Sequence, residues 1–247
     1  MSLQHLIFVL LLYLSVGTFI SFGFVKPSEV GRKYFLYHGL GISVLGLLCL
    51  FLSNNSAVLI GFIGVSFIYA LTAGLNRLIT LGLYVAGSAF GIFTIALDLS
   101  LPSFLPLLNS LLSSLMLGFT MAAMLLGHWY LVEPKLSIGE LRRVCMILIA
   151  LIGIRFVFGT YSFANAVQGK SEMEIYRFFL SGTPGIFMLM RWFWGLLGPM
   201  ILAYLIWGTV KIRSTQSATG ILYVTVLCVL TGEIMSQYLT FFHGIIG

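Results

Sequence analysis

The sequence predicts an all-α, polytopic membrane protein with eight transmembrane helices. Of its 247 residues, 60% are hydrophobic and only 8% are charged, whereas a soluble domain carries about 25% charged residues. So few charges cannot cover a water-facing surface. Several apolar runs reach the length of about 20 residues that is needed to cross ~30 Å of hydrocarbon. These runs lack alternation of period two, which favours helices over a β-barrel.

The predicted spans follow one another through short polar connections, so that neighbours in the chain run antiparallel. The tetrapeptide SNNS joins the second span to the third, and AGLNR joins the third to the fourth. The eight predicted spans are Leu6–Phe24, Tyr34–Leu52, Val58–Leu75, Leu78–Leu97, Leu107–Val132, Val144–Phe163, Ile186–Val210 and Gly220–Phe242.

Basic residues indicate the orientation of these spans. The loops after the first, third, fifth and seventh spans carry Lys or Arg, and the loops after the second and fourth spans and both termini carry none. The positive-inside rule therefore places the odd loops in the cytoplasm and both termini outside, in a bacterial inner membrane. The basic residues of the odd loops are Lys26, Arg32, Lys33, Arg77, Lys135, Arg142, Arg143, Lys211 and Arg213. Because they are spread over several short loops, they argue against nucleic-acid binding.

The long loop after the sixth span predicts a short helix near residues 171–182. Ser171 and Glu174 have the spacing of a capping box, and Gly182 is a typical helix stop. The apolar residues between them predict a helix that lies at the outer interface of the membrane. It serves either as a surface anchor or as a lid.

Two halves of the chain resemble each other. FVKPSEVGRKYF follows the first span and LVEPKLSIGELRRV follows the fifth, each with Val-x-Pro and then a Gly before basic residues. This similarity predicts two parallel four-helix repeats, over residues 1–106 and 107–247, related by an axis along the membrane normal.

Arg155 and Glu233 are charged residues within the predicted spans of the second half. At about 1.5 Å per residue, Arg155 lies roughly 18 Å from the cytoplasmic end of its span, and Glu233 lies at about the same height. Each would cost about 3 kcal/mol or more if it were unpaired in lipid. The sequence therefore predicts that Arg155 pairs with Glu233.

Arg191 and three aromatic residues extend this hypothesis to a ligand pocket. Arg191 is expected nearer the outer surface, beside Tyr161, Trp192 and Trp194, and a kink at Pro199 is expected to open space. A positively charged, aromatic pocket suits a quinone headgroup or an anionic small molecule. The alternative is an ion pair that only holds two helices together, beside an interfacial aromatic belt.

Four histidines form two pairs that are matched in depth. His38 and His128 lie near the cytoplasmic ends of their spans, and His5 and His243 lie near the outer ends. Such pairs are typical of haem b held by two axial histidines, and His38 with His128 is the better metal-binding pair. The alternative is that these histidines lie at the membrane–water interfaces only because their side chains are amphipathic.

These features predict a membrane subunit of a respiratory or electron-transfer complex that interacts with quinone, with haem b as a further candidate cofactor. The architecture is similar to that of the eight-helix anchor subunits of the polysulfide and dimethyl sulfoxide reductase class. The similarity covers helix count and layout and no motif, so no residue role is carried over. It implies the lipid bilayer and other complex subunits as partners. The alternative functions are a transporter or channel for an anionic or lipidic solute, and an assembly component.

Overall fold

The computed structural model describes residues 3–53, 57–98, 104–133, 136, 138–169 and 171–243. Within these ranges, the side chains that are left undescribed are Asp98, Ala166, Ile175, Arg177, Phe178, Leu180, Ser181 and His243. All regular elements of the described residues are helical, as the sequence predicts. The elements are α1 (Leu3–Ser21, with a 3₁₀ turn at Phe22–Phe24), α2 (Pro27–Val30), α3 (Arg32–Leu52), α4 (Ala57–Thr72), α5 (Arg77–Asp98), α6 (Phe104–Val132), α7 (Gly139–Val167), α8 (Glu172–Ser181), α9 (Thr183–Met190), a π-helical segment (Arg191–Leu197), α10 (Gly198–Lys211) and α11 (Thr215–His243).

Seven helical stretches of the described residues are long and apolar enough to cross a membrane. They indicate an integral membrane protein in contact with lipid. The third predicted span corresponds to α4, which has 16 residues and measures about 24 Å at 1.5 Å per residue. This is shorter than the ~30 Å of hydrocarbon, so the crossing of the membrane by α4 remains a prediction.

The helices form two groups that meet mainly at one pair of helices, with smaller contacts between α1 and α11 and between α5 and α6. In the first group, α1 packs against α3 and α5, α3 against α4, and α4 against α5; in the second, α6 packs against α7 and α11, and α10 against α7 and α11. Helices α1 and α6 join the groups. They meet at Gly17 and Gly118, where a Cβ on Gly17 would lie 1.8 Å from the carbonyl oxygen of Ser114. The two helices can approach so closely only because both glycines lack side chains.

Helix α8 matches the prediction for the loop after the sixth span. The backbone N–H of Ser171 donates to Oε2 of Glu174 over 2.8 Å, and the N–H of Glu174 donates to Oγ of Ser171 over 3.3 Å. The helix ends at Ser181 before Gly182. The capping box is confirmed, and the position of α8 at the outer interface stays a prediction.

The stretch from Thr183 to Lys211 is one continuous helical rod with a π-helical centre. Pro199 has no N–H to donate to the carbonyl of Gly195. The N–H of Gly198 donates instead to the carbonyl of Phe193, five residues earlier. The expected irregularity at Pro199 therefore takes the form of a widened helix, which also changes the direction of the side chains before it.

Basic residues gather at one end of the helix bundle, here called the basic end. The backbone N–H of Lys26 donates to Glu140 over 3.0 Å, and the same carboxylate pairs with Arg143 at 2.9 Å. At this end Arg32 donates to the carbonyl of Leu71 over 2.6 Å. Glu140 thus ties the connection after α1 to the start of α7. The first residues of α1 and the last residues of α11 lie at the opposite end. It is called the outer end after the prediction that both termini lie outside.

Candidate functional site

The main buried charges form a cluster of Arg155, Arg191 and Glu233, here called the Arg–Glu cluster. Nη2 of Arg155 lies 3.3 Å from Oε2 of Glu233, and Nη1 of Arg191 lies 3.1 Å from Oε1. All three residues have at most 1% of their surface exposed. The pairing of Arg155 with Glu233 that the sequence predicts is present, and Arg191 occupies the other oxygen of the same carboxylate.

Arg155 is held by further polar side chains. It donates to Oδ1 of Asn109, to Oγ of Ser113 over 2.7 Å and to Oγ of Ser236 over 3.3 Å. Asn109 and Ser113 are one turn apart on α6, and Ser236 is nearly one turn beyond Glu233 on α11. A guanidinium with several fixed acceptors has one orientation, and Arg155 therefore fixes the position of Glu233.

Sequence reasoning missed this set of neutral partners. The signal was present in α6, because Asn109 and Ser113 stand four residues apart within an apolar run and therefore share one helix face. Polar residues on one face of a membrane helix mark the side that packs against other helices. Nearby, the hydroxyl of Tyr13 donates to Oγ of Ser110 over 2.7 Å, and this bond continues the polar face toward α1.

Arg191 is more deeply buried than the sequence analysis predicts. The expectation placed it near the outer surface, but it has 1% exposure and contacts Glu233. Two differences explain this outcome. The helix starts at Thr183 rather than at Ile186, which places nearly one more turn outside Arg191, and the π-helical segment begins at Arg191 itself.

A contact between glycines brings Arg191 to the carboxylate. A Cβ on Gly232 would lie 2.2 Å from the Cα of Gly195, and a Cβ on Gly195 would lie 2.7 Å from the Cα of Gly232. The π-helical segment therefore packs backbone to backbone against α11, one residue from Glu233. The same built Cβ on Gly195 would lie 3.0 Å from Nη1 of Arg191, so the missing side chain also leaves room for the guanidinium.

Some buried donors in this region lack an acceptor among the described residues. Nε and Nη2 of Arg191 and Nε2 of Gln237 have no hydrogen-bond partner there, although each atom is inaccessible to water. Gln237 is one helical turn beyond Glu233 on α11, toward the outer end. An unpaired buried donor is costly, so these atoms suit a ligand that brings acceptor oxygens.

The cluster also carries a net positive charge. It holds two guanidiniums and one carboxylate, and Glu140, the other buried carboxylate of the described residues, is at the basic end. In a medium of low dielectric constant, such an excess charge attracts an anion or the partial negative charge of a carbonyl group.

The three predicted aromatic residues take different places. Trp192 is half-buried, and its ring lies 5.9 Å from that of Phe156 and 6.0 Å from that of Phe163, between centroids. Tyr161 is 57% exposed and Trp194 is 55% exposed. Of these aromatics, Trp192, which follows Arg191 in the chain, therefore packs against α7, whereas Tyr161 and Trp194 lie on the exposed surface of the helices.

His38 and His128 lie on helices α3 and α6, near the basic end. His38 packs against the rings of Tyr34 and Trp129, at centroid distances of 4.4 and 6.2 Å, and its Nε2 has no hydrogen-bond partner among the described residues. His128 is exposed, and its Nδ1 lies 3.4 Å from the hydroxyl oxygen of Tyr223.

The glycines beside these histidines do not open a space for a macrocycle. A Cβ on Gly39 would lie 2.6 Å from the Cβ of Ala70, and one on Gly127 would lie 2.8 Å from Oγ1 of Thr219. Both glycines serve contacts with other helices instead.

The outer histidine pair is seen only in part. His5 packs edge-on against Phe241, with 5.2 Å between ring centroids. His243 ends α11, and its side chain lies outside the described part of the chain. Over the described residues, no group of three or more His, Cys, Asp or Glu side chains is arranged to hold a metal ion.

The geometry thus selects the Arg–Glu cluster with Gln237 as the candidate binding site. Comparison of the chain with protein-family models, with curated proteins and with solved structures gave no match.

Proposed function

We propose that the chain is an integral membrane subunit of an electron-transfer complex and that it binds a quinone at the Arg–Glu cluster. The observation that carries the proposal is the group of buried donors on Arg191 and Gln237 that lack an acceptor among the described residues. A quinone brings two carbonyl acceptors on a flat ring, and it reaches a buried site through the bilayer. Electrons come from a partner subunit.

The proposed roles divide between fixed and free groups. Arg155 is occupied by Asn109, Ser113 and Ser236 and holds Glu233 in place. Glu233 in turn orients Arg191 through Oε1. The remaining donors of Arg191 then bind one quinone carbonyl.

Quinone binding by variants of the free donors tests this proposal. A quinone with a short tail is titrated into the purified protein, and the quenching of tryptophan fluorescence is measured, since Trp192 is next to the site. Arg191→Gln leaves Glu233 paired with Arg155, so the fold is retained. The loss of a charged hydrogen bond, worth about 1.5–3 kcal/mol, is expected to weaken binding at least 10-fold. Gln237→Leu removes the other free donor and is also expected to weaken quinone binding. Gln216→Leu, at the basic end of α11, is its matched control and should leave the affinity unchanged. Equal affinities in all these variants would refute the site.

The second candidate function is transport of an anion, which the net positive charge of the cluster favours. Asn109→Asp distinguishes the two functions, because it replaces an amide by an isosteric carboxylate and neutralises that charge. Binding of a neutral quinone is expected to persist in this variant, whereas binding or flux of an anion is expected to be lost. Anion flux into vesicles that carry the wild type and no flux with Asn109→Asp would establish the transporter instead.

We also propose that all eight helical rods cross the membrane, as two bundles with the same order of neighbours. The support for α4 comes from its ends. Gln4 near the start of α1 donates to the carbonyl of Leu52 just before α4, over 3.4 Å, whereas Arg77 just after α4 lines a cavity together with Lys26 and Arg32. Helix α4 therefore runs from the outer end to the basic end in spite of its length.

Haem b remains a prediction for His38 and His128. The rings of Tyr34 and Trp129 occupy the surroundings of His38, and the proposed function uses no step that depends on haem. A reduced-minus-oxidised absorption spectrum of the purified protein tests this prediction directly, because a b-type band would require a haem ligand pair in the chain.

A further inference from the structure

A cavity of about 850 Å³ opens at the basic end of the first helix group. It lies between the turn after α1, the start of α3, the end of α4 and the start of α5. Its volume is in the range of small-molecule sites. It is far from the Arg–Glu cluster, which lies toward the outer end in the second group, and the proposed function does not use it.

Three cations line this cavity and no carboxylate does, among the described residues: Lys26, Arg32 and Arg77. Arg32 is held in place by its bond to the carbonyl of Leu71. Lys26 and Arg77 make no ion pair with any described residue. Three positive charges around one concave space repel one another, and an anion between them would offset this repulsion.

The local backbone adds to this positive potential. Arg32 is the first residue of α3 and Arg77 is the first residue of α5. The N-terminus of a helix carries a partial positive charge, so a cation there is unfavourable for the helix. An anion in the cavity would offset both the repulsion between side chains and the unfavourable helix ends.

The cavity wall combines polar groups with an apolar exit. Tyr69, Tyr84 and Thr80 line its inner part, and the hydroxyl of Tyr84 is already used in a bond to the carbonyl of Ile20. Leu81 lines the cavity and is 55% exposed, and Leu78, nearly one turn earlier on α5, is 79% exposed. A ligand with an anionic head and an apolar tail fits both features, because its tail can lie along these leucines in the lipid.

We infer that this cavity binds the phosphate group of an anionic phospholipid, with Lys26, Arg32 and Arg77 around the phosphate. Basic pockets between membrane helices are a known form of headgroup site. The exposed leucines on α5 favour a lipid over a free phosphate, since a soluble ion gains nothing from them.

Native mass spectrometry of the protein in detergent tests the site by counting bound lipid during titration with phosphatidylglycerol or with phosphatidylcholine. Wild type is expected to bind phosphatidylglycerol at least 10-fold more tightly. Each cation removed is expected to weaken phosphatidylglycerol binding about fivefold. The loss for a triple variant should therefore be about 100-fold; this variant is Lys26→Gln, Arg32→Gln, Arg77→Gln. Equal lipid preference in wild type and in this triple variant would overturn the inference.

A control triple variant separates the cavity from general surface charge. Lys33→Gln, Lys211→Gln, Arg213→Gln removes three exposed cations from the same end, and none of the three lines the cavity. It is expected to keep the preference for phosphatidylglycerol. If both triple variants lose the preference to the same extent, general surface charge explains the binding and the inference fails.

A steric variant and a soluble probe complete the test. Thr80→Trp fills the cavity without a change of charge, and it is expected to reduce phosphatidylglycerol binding even if the triple variant fails to fold. Inorganic phosphate at millimolar concentration is expected not to compete. Full competition by inorganic phosphate would assign the cavity to a free phosphate and overturn the lipid assignment.

Discussion

At the scale of single residues, Glu233 determines how the buried charge of this protein is compensated. Its two carboxylate oxygens face two different guanidiniums, at 3.3 Å from Arg155 and 3.1 Å from Arg191. Removing Glu233 leaves two positive charges without a carboxylate, whereas removing Arg155 leaves one complete pair. The three members of the cluster therefore contribute unequally, although all three are fully buried.

Substitution of Glu233 is consequently expected to be the most damaging change in the cluster. Glu233→Leu should destabilise the protein by about 3 to 5 kcal/mol, the usual loss when one partner of a buried ion pair is removed. Arg155→Leu should cost less, because Arg191 still neutralises the carboxylate. The measurement is the midpoint of thermal unfolding in detergent, followed by the loss of monodisperse protein. A lower midpoint for Arg155→Leu than for Glu233→Leu would contradict this ranking.

The third member also changes what a double variant should do. A simple pair predicts that Arg155→Leu combined with Glu233→Leu recovers folding. In the structure this combination leaves Arg191 buried without a carboxylate, so recovery is expected only when Arg191→Leu is added as well. If the double variant is as stable as the wild type, Arg191 does not depend on Glu233.

The sequence predicted those contacts of the cluster that depend only on the depth of each residue in the membrane. Arg155 and Glu233 could be paired because both heights follow from counting residues along straight helices. Arg191 could not be placed in this way, because its position depends on where α9 begins and on a change of helix type that no single residue encodes. Asn109 and Ser113 were readable as a polar face, but not as partners of a particular charge.

At the scale of elements, the π-helical segment and α11 are positioned by their glycines. Gly195 and Gly232 let the two backbones touch, and this contact sets the distance between Arg191 and Glu233. The boundaries of the long helices were predictable to within a few residues, because apolar runs define them. The π-helical turns were not, because Pro199 indicates only that the ordinary hydrogen-bond ladder fails.

Gly232→Ala tests the contact between these elements. Its Cβ would lie 2.2 Å from a backbone atom, which cannot move without a shift of the whole segment, so a loss of about 1–3 kcal/mol is expected. Gly220→Ala on the same helix is the control, because a Cβ there has no neighbour within 4 Å. The control should be neutral or slightly stabilising in thermal unfolding. Similar losses in both variants would show that α11 responds to any added methyl group.

At the scale of the whole molecule, the helix neighbours follow one order in both halves, and the two halves meet at α1 and α6. The short motifs predict a repeat, and the repeat stays a prediction; the contacts show only that the neighbours of the long helices follow the same order in the first group and in the second. The motifs could not indicate how the halves meet, since the closest approach depends on Gly17 and Gly118, which stand outside the similar passages.

The side of the membrane on which each end of the bundle lies is the last expectation, and cysteine labelling tests it. The three native cysteines are buried, so a new exposed cysteine gives the main signal with a maleimide that does not cross membranes. Glu172→Cys should react in intact cells. Leu75→Cys and Gln216→Cys should react only after permeabilisation, because eight crossings place both at the basic, cytoplasmic end. If α4 failed to cross, every loop after α4 would lie on the other side of the membrane relative to the loops before it. Leu75 and Gln216 could then not share a side with Lys26 and Arg32, as the cavity requires. Three crossings separate Leu75 from Glu172 whether or not α4 crosses, so Lys33→Cys, at the start of α3, supplies the test of α4. Lys33→Cys and Leu75→Cys should both react only after permeabilisation. Labelling of one of these two variants but not the other in intact cells would contradict both the eight crossings and the assignment of one basic end.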